Sequence, residues 1–388
     1  MPVKNRFAEL LPEITAWRRD FHEHPELQFD VHRTAGRVAD LLRDFGCDEV
    51  VEGIGRTGVV GVIKGRTDSK GRVIGLRADM DALPIKEATG LPYASKTPGK
   101  MHACGHDGHT SMLLGAARYL AETRNFDGKA VVIFQPAEEG GGGGREMVAE
   151  GMMERFGIQE VYGMHNMPGI PVGQFAIRPG ATMAAADQFD ILVTGKGGHA
   201  AKPHEGIDAT VISAHIILAL QTIASRVVDP LKQVVVSVCM VKTESEAHNV
   251  ISQTVLMRGT VRTMDPKVQD LVETRIKTIV EGTALAHGAT AEVTYMRGYP
   301  VTVNAEDNTL YAAEVAQAVS GKVDTDAAPL MGAEDFSFML NERPGAYIFL
   351  GNGDTAMLHH PAYNFDDNAI PFGSSWYAGM VEARMPAA

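Results

Sequence analysis

Little in this sequence suits it to oxidising surroundings, to a membrane or to a nucleic acid. Only three cysteines, Cys47, Cys104 and Cys239, occur in 388 residues. An odd number in a long chain gives no disulfide framework, so free thiols and a reducing, cytoplasmic location are expected. The opening twenty residues scatter Lys4, Arg6, Glu9, Glu13, Arg18 and Arg19 among their apolar neighbours and leave no continuous run for a secretory signal. The mature chain is therefore expected to begin near Met1. The most apolar later stretch, residues 209–225, is interrupted by Thr210, Ser213, His215, Gln221 and Thr222. It falls short of the ~18–20 apolar residues that span a bilayer and reads as a buried amphipathic helix. Cations are also scarce. Lys and Arg number 36 against 48 Asp and Glu, a formal net charge of −12. Binding to a phosphate backbone needs clustered cations, so neither nucleic acid nor membrane is expected as a partner.

The composition that remains is that of a globular protein, 45% apolar and 22% charged. At ~100–200 residues per domain, the length predicts two domains. Residues 7–44 carry a helical pattern, with Leu10, Leu11, Ile14 and Trp17 at three-to-four spacing, a break at His24-Pro25, and a second helix through Val38, Leu41 and Leu42. Short apolar runs at 59–63, 73–76 and 130–134 then alternate with a helix over 110–123. This predicts an α/β domain whose mixed, mostly parallel sheet is covered by helices on both faces. From about residue 185 the texture changes to strand, helix, two strands, helix, strand (189–194, 207–225, 233–241, 254–263, 268–287, 291–296), the order of a ferredoxin-like module. The α/β pattern returns after Pro300, with a helix over 310–319 and a buried strand over 346–350. The expected organisation is thus one α/β domain, residues 1–184 and 298–388, interrupted by an inserted βαββαβ domain at 185–297.

Chemistry concentrates in four places. His102-Ala-Cys104-Gly-His106-Asp107-Gly-His109 sets three imidazoles, a thiol and a carboxylate within eight residues, just ahead of a predicted helix whose N-terminus favours a thiolate. Gln135-Pro-Ala-Glu138-Glu139-Gly140 follows an apolar strand, where open α/β sheets gather active-site residues. The five glycines Gly140–Gly144 lack a following Lys-Ser/Thr and lie beside two carboxylates, which argues against a phosphate cradle and for a flexible loop. His165 and the pair His359-His360 each follow a predicted strand. Singly, an adjacent carboxylate pair or a lone histidine is commonly structural. Together they make the mixed thiol, imidazole and carboxylate set of a zinc or manganese site.

Several ordered motifs then resemble one family. They are His22-Glu-His24-Pro25-Glu26-Leu27, Arg77-Ala-Asp79-Met-Asp81-Ala-Leu-Pro84, the segments around Cys104 and Glu138, Gly195-Lys-Gly-Gly198-His199, Gly259-Thr-Val-Arg262, Met331-Gly-Ala-Glu334-Asp335-Phe336 and Leu358-His359-His-Pro361. Nearly end to end, the chain is similar to the aminoacylase/carboxypeptidase-type metallohydrolases, in the group of hippurate hydrolases, N-acyl-amino-acid amidohydrolases and indole-3-acetyl-amino-acid hydrolases. The resemblance implies two divalent ions per chain, manganese or zinc with cobalt or nickel as alternatives. Their ligands would be Cys104, His106, Glu139, His165 and His359, with Cys104 a candidate bridge. The pattern Leu-His-x-Pro selects His359 over His360. The implied reaction is hydrolysis of the amide bond of N-acyl amino acids by metal-activated water, with Glu138 as general base and Asp81 fixing a ligand imidazole from behind. Glu334 and Asp335 would shape the site without ligating. The inserted domain would be a lid and dimerisation module, placing His199, Asn249 and Arg262 on the substrate and making the protein a homodimer or larger homo-oligomer.

One departure touches specificity. Many relatives carry glycines where this chain reads Thr243-Glu-Ser-Glu246-Ala-His248-Asn249, so the resemblance does not fix the amino acid preferred. A dipeptidase or carboxypeptidase, or an N-acetyl-diaminopimelate deacetylase, remains the alternative on the same scaffold. A thiol hydrolase with Cys104 as nucleophile accounts for that residue but not for Glu138, Glu139 or His359. A non-catalytic binding protein on this scaffold would lack the base or a ligand, and neither is missing.

Overall fold

The computed structural model describes residues 3–387. In chain order it forms α1 (Asn5–Glu23), α2 (His32–Asp44), β1 (Glu49–Ile54), β2 (Gly58–Lys64), β3 (Val73–Asp79), α3 (His106–Thr123), β4 (Lys129–Gln135), α4 (Gly143–Ala149), α5 (Met152–Arg155) and β5 (Glu160–Met167). There follow β6 (Phe175–Ala176), β7 (Gly180–Met183), β8 (Ala185–Thr194), β9 (Gly198–His199), α6 (Ala209–Thr222), β10 (Val234–Thr243), β11 (Val250–Ile251), β12 (Thr254–Thr263) and α7 (Pro266–Ala286). The chain ends through β13 (Thr290–Tyr299), β14 (Thr302–Asn304), α8 (Glu306–Ser320), β15 (Val323–Asp324), α9 (Ser337–Glu342), β16 (Gly345–Gly351) and α10 (Ile370–Arg384). Two compact units result. Of the described residues, one takes those up to Thr182 with Val303–Ala328 and those from Asp335 on; the other takes Met183–Thr302 with Pro329–Glu334.

The first unit is built on an eight-stranded mixed sheet in the order β1-β2-β4-β3-β5-β16-β6-β15. Its centre, β4-β3-β5-β16, is parallel throughout. These four strands are buried along almost their whole length, which is why they appear in the sequence as unbroken apolar runs. Helix α1 buries Phe7, Leu10, Ile14, Trp17 and Phe21 on one stripe, and α3 buries nearly every residue from His106 to Ala117. Parallel alignment has a direct consequence for chemistry, because all four strands bring their carboxyl ends to one edge. The register aligns Asp79 with Gln135 and His165 with Phe349.

The second unit is a four-stranded antiparallel sheet, β10-β12-β8-β13, with α6 and α7 packed on it. Both helices begin on side-chain caps. Asp208 accepts from the backbone N–H groups of Thr210 and Val211, and Asp265 from that of Lys267 with Pro266 behind it. With its continuation to Val227, α6 is long and apolar enough by length and composition to cross a membrane. It buries Ile212, Ile216 and Leu220 in this unit's core while Val211 and Leu218 stay exposed.

Candidate metal centre

Four segments leave the parallel strands at their shared edge, and each carries candidate ligands. Beyond β3, Asp81 turns back. Its Oδ1 accepts from the Glu138 N–H at 2.9 Å and its Oδ2 from the Glu139 N–H at 3.1 Å. The turn that presents these two donors begins at Ala137, a buried residue in left-handed backbone at φ +55°. Asp81 therefore grips the backbone of the carboxylate pair. It also lies 3.5 Å from Nδ1 of His106, a candidate ligand imidazole.

The expected flexible loop is, from Gly141 on, a closely packed turn. A Cβ on Gly143 would meet the Pro136 carbonyl oxygen at 1.8 Å, and one on Gly144 the Asp335 carbonyl oxygen at 2.8 Å. The run then opens α4 directly. Close backbone approach requires glycine at 143 and 144, and left-handed backbone favours it at Gly140 and Gly142, with φ +83° and +73°.

Around this turn the donor atoms converge. Those of Cys104, His106 and His165 lie within 4.8 Å of one another, as do those of Cys104, Glu139 and His359, and those of His106, Glu138 and Glu139. Cys104 belongs to two of these trios. Its Sγ is 3.4 Å from His165 Nε2, and His359 Nε2 is 3.1 Å from Glu139 Oε1. His165 Nδ1 sits 2.6 Å from the Asn166 carbonyl oxygen; donating there, it leaves the Nε2 lone pair facing the thiol. His106 is fully buried, yet among the described residues neither ring nitrogen has a hydrogen-bond partner, the carboxylates of Asp81 and Asp79 standing 3.5 and 3.8 Å away. A buried imidazole without such a partner is costly, and a bound cation taking the place of the ring proton would satisfy it. The donor set thus fits a pair of divalent ions.

The electrostatics point the same way. Burial, reinforced by Glu139 and Glu138, pushes the Cys104 thiol well above its ordinary range. The N-terminus of α3 does not by itself make the expected thiolate, which needs added positive charge. Burial works against ionisation of Glu139, but His359 and His106 hold it below the usual carboxylate range. Burial likewise opposes the charge on His106, yet Asp79, Asp81 and Glu139 raise it to about 10. An excess of carboxylates is drawing positive charge into the cluster.

Behind the candidate ligands lies a network that joins Asp335, expected to shape the site, to Arg77, Asp79 and His109, to which the sequence assigned no role. Arg77, fully buried, donates to Asp79 at 2.8 Å, to Gln135 Oε1 at 2.9 Å and to Asp335 at 2.9 Å. Asp335 also accepts from Gln135 Nε2 at 2.7 Å and from the Gly144 N–H at 2.8 Å, so it shapes the carboxylate turn. Asp79 holds His109 Nδ1 at 2.6 Å, and His109 Nε2 accepts from Asn166. A polar residue ending a buried strand, as Asp79 does, was the available signal.

In the second unit, β9 pairs with β11, opposing His199 to Val250, and the Ala200 N–H donates to the Asn249 carbonyl oxygen at 3.0 Å. His199 and Asn249 are thereby neighbours, both exposed. The Ala201 N–H donates to His199 Nδ1 at 3.0 Å, which leaves Nε2 carrying the ring proton. Arg262 stands apart near the end of β12, half-buried, donating to Thr260 and to the Val261 carbonyl oxygen. Among the described residues no carboxylate lies within ion-pair distance of it.

A thiol, imidazoles and carboxylates at the carboxyl edge of a parallel sheet define a hydrolytic metalloenzyme. The chain belongs to peptidase family M20/M25/M40, whose model matches residues 75–383. It is 42% identical to a hippurate hydrolase of Campylobacter jejuni over 376 residues, 96% of this chain and 97% of that protein. It is 39% identical to an N-acetylcysteine deacetylase of Bacillus subtilis over 94% of this chain and 94% of that protein. A dinuclear metal-binding M20 peptidase from Bacillus subtilis superposes with a TM-score of 0.85 at 34% identity, covering 97% of this chain and 99% of that one. The protein is a metal-dependent amidohydrolase whose centre takes two divalent ions.

Proposed function

We propose that the protein hydrolyses the amide bond of N-acyl amino acids, hippurate-like or N-acetylated, giving a carboxylic acid and a free amino acid. The observation that carries this reading is the Glu138-Glu139 pair pinned by Asp81 against a thiol shared between two donor groups. Cys104, His106, Glu139, His165 and His359 would hold two ions, manganese or zinc. Ions in that position supply Lewis acidity and make water acidic enough to lose a proton near neutral pH. Glu138, with its backbone fixed by Asp81, removes that proton and returns it to the departing amine nitrogen. His199, through its Nε2 proton, is assigned to the developing oxyanion, and Arg262 and Asn249 to the substrate carboxylate.

The second unit also suits self-association. The exposed positions of α6 hold no Asp, Glu, Lys or Arg, and β10 is an edge strand whose Val235 and Val241 are exposed. We propose a homodimer or larger homo-oligomer through this unit, and a reducing, cytoplasmic location that would keep the Cys104 thiol free.

The test is an assay of purified protein on hippurate and a panel of N-acetyl amino acids, before and after chelation, with manganese, zinc or cobalt restored. Chelator-sensitive release of free amino acid, recovered at about two ions per chain, is expected. Metal binding without turnover of any acyl amino acid would transfer the function to a peptide substrate. Activity indifferent to chelation would make Cys104 the nucleophile.

A further inference from the structure

Asn166 directly follows a candidate ligand on β5, is fully buried, and uses every polar atom of its side chain. Its Nδ2 donates to the Cys104 carbonyl oxygen at 2.6 Å and reaches His109 Nε2 at 2.9 Å. Its backbone N–H reaches the same His109 nitrogen at 2.9 Å. Its Oδ1 accepts from the Tyr363 hydroxyl at 2.6 Å. Because His109 Nδ1 is engaged by Asp79, Nε2 is an acceptor, and this fixes the amide with nitrogen towards His109 and oxygen towards Tyr363.

Each partner stands beside a different ligand. The Cys104 carbonyl belongs to the thiol residue itself. His109 lies one turn along α3 from His106. Tyr363 closes the turn after His359 through its N–H to the His360 carbonyl oxygen, and the His359 N–H donates to Ala103. His165 is the preceding residue. The packing leaves no slack, since a Cβ on Gly105 would meet Asn166 Nδ2 at 2.2 Å and the Tyr363 hydroxyl oxygen at 2.5 Å.

We infer that Asn166 is the positioning residue of the metal centre, a single carboxamide that ties the thiol loop, His109 on α3 and the C-terminal loop into one preformed arrangement, while its backbone carbonyl holds the His165 ring. The inference rests on the metal-centre reading above. It makes Asn166 matter for assembling the ligands and not for contacting substrate.

The test uses full-length protein stripped of metal, titrated with manganese and zinc against a chelating dye, with thermal melting of the same samples. The variants are N166A, Y363F and V381A, the last a core truncation on α10 outside the network. N166A should bind metal about 10–100-fold more weakly, the usual cost of losing a group that orients ligands, and Y363F at least about 3-fold more weakly. V381A should lose thermal stability while keeping metal affinity within about 2-fold, as a purely structural change would. At saturating metal, KM of N166A should match the wild type. Wild-type metal affinity in N166A, or an equal loss in V381A, overturns the inference. Should N166A not fold, Y363F decides, and unaltered affinity there overturns it equally. Wild-type protein that binds no divalent ion would refute the metal-centre reading and this inference with it, whereas binding that N166A leaves unchanged refutes only the role of Asn166.

Discussion

Replacing Asp335 by alanine should be among the most destabilising single changes in the first unit. Asp335 is fully buried and accepts hydrogen bonds from Arg77, Gln135 and the Gly144 N–H. Its removal takes from the buried Arg77 guanidinium a carboxylate partner held at 2.9 Å. It also strips an acceptor from the start of α4. Breaking a buried ion pair by truncating one partner costs about 3–5 kcal/mol, because the remaining charge stays desolvated. At ~2–4 °C per kcal/mol for a domain of this size, the melting temperature of D335A should fall by roughly 6–20 °C. D335N, which keeps the shape and removes the charge, should fall between D335A and the wild type. Gln135 leads straight into the turn carrying Glu138, so folded D335A should also lose turnover. Calorimetry of the metal-free proteins measures the effect free of ligand stabilisation. A D335A midpoint within about 2 °C of wild type would refute the argument that this network is a charge-satisfied unit.

Three further outcomes are expected. E138Q should lower kcat by at least ~10²–10⁴-fold while retaining both ions, and E139Q should lose metal; metal loss in E138Q would exchange the two roles. Although burial opposes it, Asp107 and Glu87 raise the imidazole of His22 from 6.5 to about 9. Its stabilising contribution is therefore complete below pH 6.5 and is lost as the pH rises through about 9. Urea unfolding across that range should show the gap between wild type and H22Q shrinking towards alkaline pH, and a gap that grew would contradict the assignment. Leu218, 70% exposed on α6, should tolerate glutamate without unfolding. Sedimentation should show the wild type as a dimer and L218E as a monomer, and a monomeric wild type would remove the proposed interface.

Much of this protein was determined by the sequence alone, and the reason is local. Periodicity along one segment marks an element wherever that segment is buried in a regular way, as in β3, β4, β16 and the helices α1 and α7. Elements with little burial or few residues, such as β1, β6 and α4, left no such mark. The ligand types were also legible, because a thiol, imidazoles and carboxylates placed after apolar strands are unusual wherever the chain then goes. Tertiary structure decided what depends on approach between distant segments. Only the parallel register brings the ends of β3, β4, β5 and β16 together, so only there do Asp81, Glu138, His165 and Cys104 become neighbours. The glycine run looked mobile because its contacts, Pro136 and Asp335, include one almost two hundred positions away. The roles of Arg77, Asn166 and Tyr363 were hidden for the same reason. A hydrogen bond between residues 166 and 363 has no period and no spacing, and folding alone creates it.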